Sequence, residues 1–128
     1  MKSKVLVAED NGDMAKMCRI ALELKGHTVV ITRDGEACVR TYRDAVNKLD
    51  KEPSRHEPFD IVILDCRMPR MDGVEAAKEI FAMNKRQRLA FAAAHIGKSK
   101  DSVSERYRVE ILQKPFEPKE LIKLVENG

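Results

Sequence analysis

Five short apolar runs, separated by polar segments, form the dominant pattern of the chain. They are Val5–Ala8, Thr28–Thr32, Phe59–Asp65, Leu89–Ala94 and Val109–Gln113. Most of them lack the strict alternation of a half-exposed strand, and a continuous apolar run is typical of a strand that is covered on both faces. Thr28–Thr32 is also rich in β-branched residues, which favour strands. The five runs are therefore predicted to be strands of one buried sheet.

Between these runs, apolar residues recur at helical spacing. A first helix carries Met14, Met17, Ala21 and Leu24, and Gly26 ends it. Further stripes predict four more helices: Cys38, Tyr42, Ala45 and Leu49; Val74, Ala77, Ile80 and Phe81; a weak helix over Asp101–Arg108 with Val103 and Tyr107; and Pro118–Glu126 with Leu121, Leu124 and Val125. The polar segment Lys51–Pro58 contains two prolines and is predicted to be a loop.

Strands that alternate with helices predict an α/β fold, a doubly wound five-stranded parallel sheet with five helices on its two faces. Crossover connections between parallel strands are right-handed, which restricts the topology further. In open sheets of this kind, ligands bind beyond the carboxyl ends of the strands, where the strand order reverses. The residues that follow the strands are therefore the first candidates for chemistry.

Composition narrows the class of protein. The chain has 128 residues, enough for one domain with a real core, and a net charge of only +3. The densest basic cluster, Lys85–Arg88, has no interleaved aromatic residues, so a solvated surface is favoured over a nucleic-acid site. No apolar stretch reaches the ~20 residues of a membrane span, and the N-terminus does not fit a signal peptide. Three cysteines without CxxC spacing suggest free thiols in a reducing cytoplasm rather than disulfides or zinc.

Charged residues follow three of the predicted strands. Glu9 and Asp10 follow the first, Asp65 ends the third, and Lys114 follows the fifth. If the first and third strands are neighbours, the three carboxylates converge, and a group of like charges favours binding of a cation. Mg²⁺ prefers such oxygen ligands, and together with Lys114 it would neutralise the site and accept a phosphoryl group. The alternative is that these carboxylates are separate turn-forming residues.

Three segments together resemble the receiver domain of two-component response regulators. They are VLVAEDN (Val5–Asn11), DIVILDCRMPRMDG (Asp60–Gly73) and KPF (Lys114–Phe116). The resemblance covers essentially the whole chain in the family's order. It implies a flavodoxin-like sheet of strand order 2-1-3-4-5. A receiver domain is expected over residues 1–128, with no output domain in this chain, and both a stand-alone receiver and a part of a larger regulator or hybrid kinase fit this expectation.

The resemblance also implies roles for individual residues. Asp65 matches the phosphoryl acceptor, and Lys114 matches the lysine that contacts the phosphoryl group. Asp10 is expected to bind Mg²⁺ directly and Glu9 through a water molecule. Arg67 falls where the family uses a backbone carbonyl as a further metal ligand.

Other positions shape the surroundings of this site. Met68 and His95 are predicted at its rim, although His95 also fits an ordinary surface histidine. Met68–Pro69 and Asp72–Gly73 are expected to fix the loop after the acceptor. The resemblance further implies a cis bond between Lys114 and Pro115.

Two positions depart from the family pattern. The family usually has Ser or Thr at the end of the fourth strand, where this chain has Ala93. It often has Tyr or Phe three residues before the lysine, where this chain has Ile111. The residues for metal and phosphoryl binding are thus present, while the usual switch pair is missing.

The sequence therefore predicts a cytoplasmic phosphorelay domain. It would accept a phosphoryl group from a histidine kinase or phosphotransfer protein, catalyse only its own Mg²⁺-dependent phosphorylation and dephosphorylation, and signal through a protein target, with no nucleic-acid or membrane binding. A phosphohydrolase with an aspartate nucleophile is disfavoured, because Arg67 stands where such enzymes have a second Asp. The main alternative is an unphosphorylated interaction module, which would explain Ala93 and Ile111.

Overall fold

A computed structural model of the chain describes residues 2–49, 57–94, 106–107 and 109–127. Five strands and four helices lie in these ranges. In chain order they are β1 (Lys4–Ala8), α1 (Gly12–Leu24), β2 (Thr28–Thr32), α2 (Gly35–Leu49), β3 (Ile61–Asp65), α3 (Gly73–Met83), β4 (Leu89–Ala93), β5 (Val109–Gln113) and α4 (Pro118–Glu126).

The strands form one parallel sheet in the order β2-β1-β3-β4-β5, which confirms the predicted doubly wound, flavodoxin-like topology. The strand order reverses at β1, which lies between β2 and β3. Ala8 of β1 is in register with Thr32 of β2 and with Leu64 of β3. The residues that follow these three strands therefore emerge side by side at one edge of the sheet.

Alternate residues of each central strand enter two separate cores, which explains the continuous apolar runs. In β1, Leu6 and Ala8 join α2 and α3 in one core, while Val5 and Val7 join α1 and α4 in the other. The helices thus cover both faces of the sheet. This double cover leaves the strand ends as the place where polar side chains of the sheet can meet.

Most predicted elements agree with the structure to within two residues. The clearest difference concerns Leu24, which was predicted in the apolar stripe of α1 but is 81% exposed. It is the last residue of the helix, and periodicity alone does not show whether a neighbouring element covers that end. The predicted loop over 51–58 and the predicted helix over 101–108 fall mainly outside the described residues. Within the second segment, Tyr107 is described and stacks on Phe81 with ring centroids 4.2 Å apart.

None of the helices in the described ranges is long and apolar enough to cross a membrane.

Candidate phosphoryl-acceptor site

The structure brings three carboxylates together at the edge where β1 and β3 end. Glu9 and Asp10 directly follow β1, and Asp65 is the last residue of β3. One carboxylate oxygen from each lies within 4.8 Å of the others. Glu9 and Asp65 are buried, whereas Asp10 is exposed. The cluster therefore has a buried floor and one side that is open to solvent.

Glu9 is held by several contacts. Its backbone N–H donates to the carbonyl of Thr32 at 3.0 Å, which extends the pairing of β1 with β2. One carboxylate oxygen accepts from the Asn11 N–H at 3.1 Å, and the other accepts from the Lys114 ammonium at 2.8 Å. Asn11 in turn caps α1 by accepting from the Met14 N–H. The loop between β1 and α1 is thereby fixed around a buried acid.

Lys114 reaches the cluster from β5, on the far side of β4. Its backbone N–H donates to the carbonyl of Ala93 at 2.9 Å, and its peptide bond to Pro115 is cis, as the resemblance implied. The ammonium lies 2.8 Å from a Glu9 oxygen and 3.3 Å from an Asp65 oxygen. Lys114 is thus shared between the two buried acids and lies closer to Glu9.

The electrostatics of the cluster favour an added cation. Burial and the neighbouring Glu9 raise the pKa of Asp65 above its usual range, against the opposing effect of Lys114. Burial alone would lower the pKa of Lys114, but the hydrogen bond and charge of Glu9, with the charge of Asp65, raise it overall. Three carboxylates face one ammonium, so negative charge is in excess. An all-oxygen donor set with excess negative charge fits a hard divalent cation such as Mg²⁺.

The loop after Asp65 returns tightly to the strand end. The Arg67 N–H donates to one Asp65 oxygen at 3.3 Å, and the Gly73 N–H donates to the Cys66 carbonyl. A Cβ placed on Gly73 would lie only 2.3 Å from the Asp65 carbonyl oxygen, so only glycine fits there. Asp72 then caps α3 by accepting from Glu75 N–H. The Asp-Gly pair in the sequence therefore allows close packing against the Asp65 backbone and starts a helix.

The remaining predicted positions have different surroundings. Met68 is partly buried and packs against the core beneath α2 and α3. Ala93 ends β4 and is 3% exposed, while Ile111 is paired with Phe91 and is 38% exposed. His95 lies outside the described residues. The roles of these positions at the rim or in a switch remain predictions.

One residue at this edge was not singled out from the sequence. Arg33 follows β2 and donates from Nε to the Glu9 carbonyl at 3.1 Å and from Nη2 to the Asp10 carbonyl at 2.8 Å. The sequence feature that could have indicated Arg33 is its position directly after the strand that neighbours β1. Arg33 binds backbone carbonyls rather than a carboxylate, and contacts of this kind do not follow from pairing opposite charges in the sequence.

Comparisons with known proteins agree with this geometry. The family model described as response regulator receiver domain matches residues 5–126. The response regulator receiver protein CpdR of Brucella abortus is 28% identical over 126 residues, which cover 97% of this chain and 94% of that protein. Probable histidine kinase 2 of Oryza sativa subsp. indica is 37% identical over 78 residues, which cover 59% of this chain but only 7% of the kinase.

A solved structure extends the likeness to three dimensions. The receiver domain of the histidine kinase CKI1 from Arabidopsis thaliana, in complex with Mg²⁺ and BeF3⁻, has a TM-score of 0.80 to this chain. The two are 25% identical, and the alignment covers 98% of this chain and 91% of that one. The family match spans nearly all of the elements described above, including each strand that contributes to the acidic cluster. The chain therefore belongs to the response regulator receiver domain family of two-component signalling.

Proposed function

We propose that this chain accepts a phosphoryl group on Asp65 in a Mg²⁺-dependent reaction and passes the signal to a protein partner. The observation that carries the proposal is the position of Asp65 at the end of β3, with Glu9, Asp10 and Lys114 around it. An aspartate carboxylate is a suitable nucleophile for phosphorus. The excess negative charge at this edge explains the need for a divalent cation.

Asp65 is held in position for attack from two sides. The Arg67 N–H donates to one carboxylate oxygen, and Lys114 lies 3.3 Å from the other. In the transfer, an Asp65 oxygen forms a bond to phosphorus while the P–N bond of a phosphohistidine donor breaks. The donor imidazole leaves with the electron pair of that bond. Lys114 then stabilises the added negative charge of the phosphoryl oxygens.

Mg²⁺ would be held by Asp10 directly, by Glu9 through water, by Asp65 and by the backbone carbonyl of Arg67. When bound, the ion offsets the charges of the carboxylates and of the phosphoryl oxygens. Glu9 already accepts a hydrogen bond from Lys114, which supports an indirect role for this acid. Asp10 is the exposed member of the cluster, which supports direct access of the ion to its carboxylate.

The phosphodonor would be a histidine kinase or a histidine phosphotransfer protein. Relatives of this chain include a segment of a probable histidine kinase and a receiver protein of similar length, which support a place in a two-component relay. The signal would pass to a protein target. Direct binding to nucleic acid is not part of the proposal.

Intact-mass measurement after incubation with a small phosphodonor and Mg²⁺ tests the proposal. The chain should gain the mass of one phosphoryl group, and Asp65→Asn should gain none. Asp13→Asn, which removes an exposed carboxylate from the first turn of α1, should be labelled like the unchanged chain. Labelling of Asp65→Asn would place the acceptor elsewhere, and no labelling of the unchanged chain would favour the unphosphorylated interaction module.

A further inference from the structure

Arg33 makes two hydrogen bonds to the loop that carries the acidic pair. Its Nε donates to the Glu9 carbonyl at 3.1 Å, and its Nη2 donates to the Asp10 carbonyl at 2.8 Å. The two acceptors are consecutive carbonyls, so the planar fork of one guanidinium fixes two successive peptide groups at once. Over the described residues, the ion pairs at this edge involve Lys114 and Arg70 but not Arg33.

The same guanidinium also lies against the start of α1. A Cβ built on Gly12 would be 3.4 Å from Arg33 Nη2, so the backbone of this first helical residue packs directly beside the side chain. Arg33 therefore connects the end of β2 with the Glu9–Asp10 segment and with the beginning of α1. The Glu9–Asp10 segment and the beginning of α1 are the two ends of the loop that carries the acidic pair.

The two acids differ in how much they depend on this contact. The Glu9 carboxylate is fixed by Lys114 and by the Asn11 N–H. In the described ranges, the Asp10 carboxylate makes no hydrogen bond or ion pair, and the residue is exposed. The position of its carboxylate is therefore set through its backbone, where Arg33 binds the carbonyl at 2.8 Å.

We propose that Arg33 is a positioning residue for the metal site, one that increases affinity for Mg²⁺ by fixing the backbone of Glu9 and Asp10. The proposal rests on the proposed function, because it assumes that the acidic cluster binds the ion. Arg33 itself is a cation near a cation site, and its charge alone would weaken Mg²⁺ binding. The positioning effect of Arg33 should strengthen Mg²⁺ binding, whereas its charge should weaken it. Because the two effects are opposite, mutations can separate them.

Two substitutions separate the positioning effect of Arg33 from the effect of its charge. Arg33→Lys keeps the charge but replaces the rigid fork by a single flexible ammonium, and Arg33→Gln removes the charge as well. Positioning predicts that Arg33→Lys weakens Mg²⁺ binding by about tenfold, the lower end of the effect of removing partners that orient metal ligands. Arg33→Gln should weaken it by less, because the loss of a nearby positive charge offsets part of the loss of positioning. Arg40→Lys and Arg40→Gln provide matched controls, since Arg40 is exposed on α2 and makes no ion pair among the residues that the structure describes. Affinity is measured by titrating Mg²⁺ against the amide resonances of the folded chain, and thermal unfolding without Mg²⁺ confirms that each variant folds.

A readout without metal keeps this test independent of phosphorylation. In Mg²⁺-free buffer, the amide resonances of residues 9–12 should shift and broaden in Arg33→Lys but not in Arg40→Lys. Unchanged resonances, or an unchanged Mg²⁺ affinity of Arg33→Lys, would overturn the positioning role. Tighter Mg²⁺ binding by Arg33→Gln would show that charge dominates and would overturn it equally. If the unchanged chain binds Mg²⁺ but is never phosphorylated, the proposed function fails while both readouts still decide the role of Arg33.

Discussion

Replacing Asp65 with Asn should stabilise the protein when Mg²⁺ is absent. The substitution removes an attraction to Lys114 at 3.3 Å and repulsions with Glu9 and Asp10, whose nearest ligand oxygens lie within 4.8 Å. At an effective dielectric constant of about 20, the attraction is about 5 kcal/mol and each repulsion at least about 3.5 kcal/mol. The net repulsion removed is then about 2 kcal/mol. Asp10 is exposed, so its repulsion is screened and weaker than this figure, but burial of the charged Asp65 carboxylate adds a cost that a neutral Asn does not have; together we expect about 1 kcal/mol of added stability.

Mg²⁺ should remove this advantage in stability. A ligand at about ten times its Kd stabilises the native state by about 1.4 kcal/mol, which raises Tm by roughly 4–7 °C for a chain of this size. Asp65→Asn lacks one metal ligand, so Mg²⁺ should raise its Tm by less than that of the unchanged chain. The difference in stability between the two proteins should therefore disappear. Thermal unfolding followed by circular dichroism, in EDTA and then in Mg²⁺, measures both effects.

The pH dependence follows from the raised pKa of Asp65. An acid whose pKa is higher in the folded state destabilises that state when it ionises. This cost is absent below the unfolded value of 3.8, grows as pH rises through the folded pKa, and is complete above it. The advantage of Asp65→Asn in EDTA should therefore be present at pH 7 and disappear as pH falls towards 3.8.

Asp13→Asn is the matched control, since it removes the same charge from the exposed first turn of α1. This variant should lose about 0.3–1 kcal/mol of folding stability, because an acidic side chain near a helix N-terminus stabilises the helix. A lower Tm of Asp65→Asn than of the unchanged chain in EDTA at pH 7 would refute the reasoning. It would show that the attraction to Lys114 outweighs the repulsion within the acidic cluster.

Two further predictions concern the metal and the switch. Asp10→Ala should weaken Mg²⁺ binding in a titration more than Lys114→Ala does, because Asp10 is the proposed direct ligand whereas Lys114 is proposed to contact the phosphoryl group. An equal loss in both variants would contradict this division of roles. In the proposed phosphorylated state, the family's hydroxyl at the end of β4 would bond the phosphoryl group, and its absence at Ala93 would remove on the order of 1.5–3 kcal/mol of bias towards the active conformation. In the unchanged chain, amide shift changes on adding Mg²⁺ and beryllofluoride should therefore fade before α4. In the double variant Ala93→Thr with Ile111→Tyr, the changes should extend into α4. Large changes throughout α4 of the unchanged chain would show another route of coupling.

The sequence by itself determined the class of fold and the chemical character of the site. Continuous apolar runs separated by helical stripes require a sheet buried on both faces, and Val5–Ala8 and Ile61–Leu64 do enter both cores. Because parallel strands share one carboxyl edge, the acids after β1 and β3 could be placed together before any coordinates were known. The motif around Asp65 was specific enough to indicate the family, which the family match confirms.

Contacts between distant segments were decided only by the tertiary structure. Tyr42 reads as part of an apolar stripe, yet its hydroxyl donates at 2.7 Å to Gln87, which is 2% exposed. Leu24 continues the stripe of α1, yet no neighbouring element in the described ranges covers most of it. Periodicity fixes the face on which a residue lies, but the packing of other elements decides whether that face is buried and which polar groups meet there.

The same limit applies at the site. The sequence placed Glu9, Asp10, Asp65 and Lys114 at one edge, because each follows or ends a strand. It did not determine that Lys114 lies nearer to Glu9 than to Asp65, nor that Arg33 binds the carbonyls behind the acidic pair. Strand ends are set by local pattern, whereas these contacts depend on strand order and register, and therefore on the packing of the whole sheet.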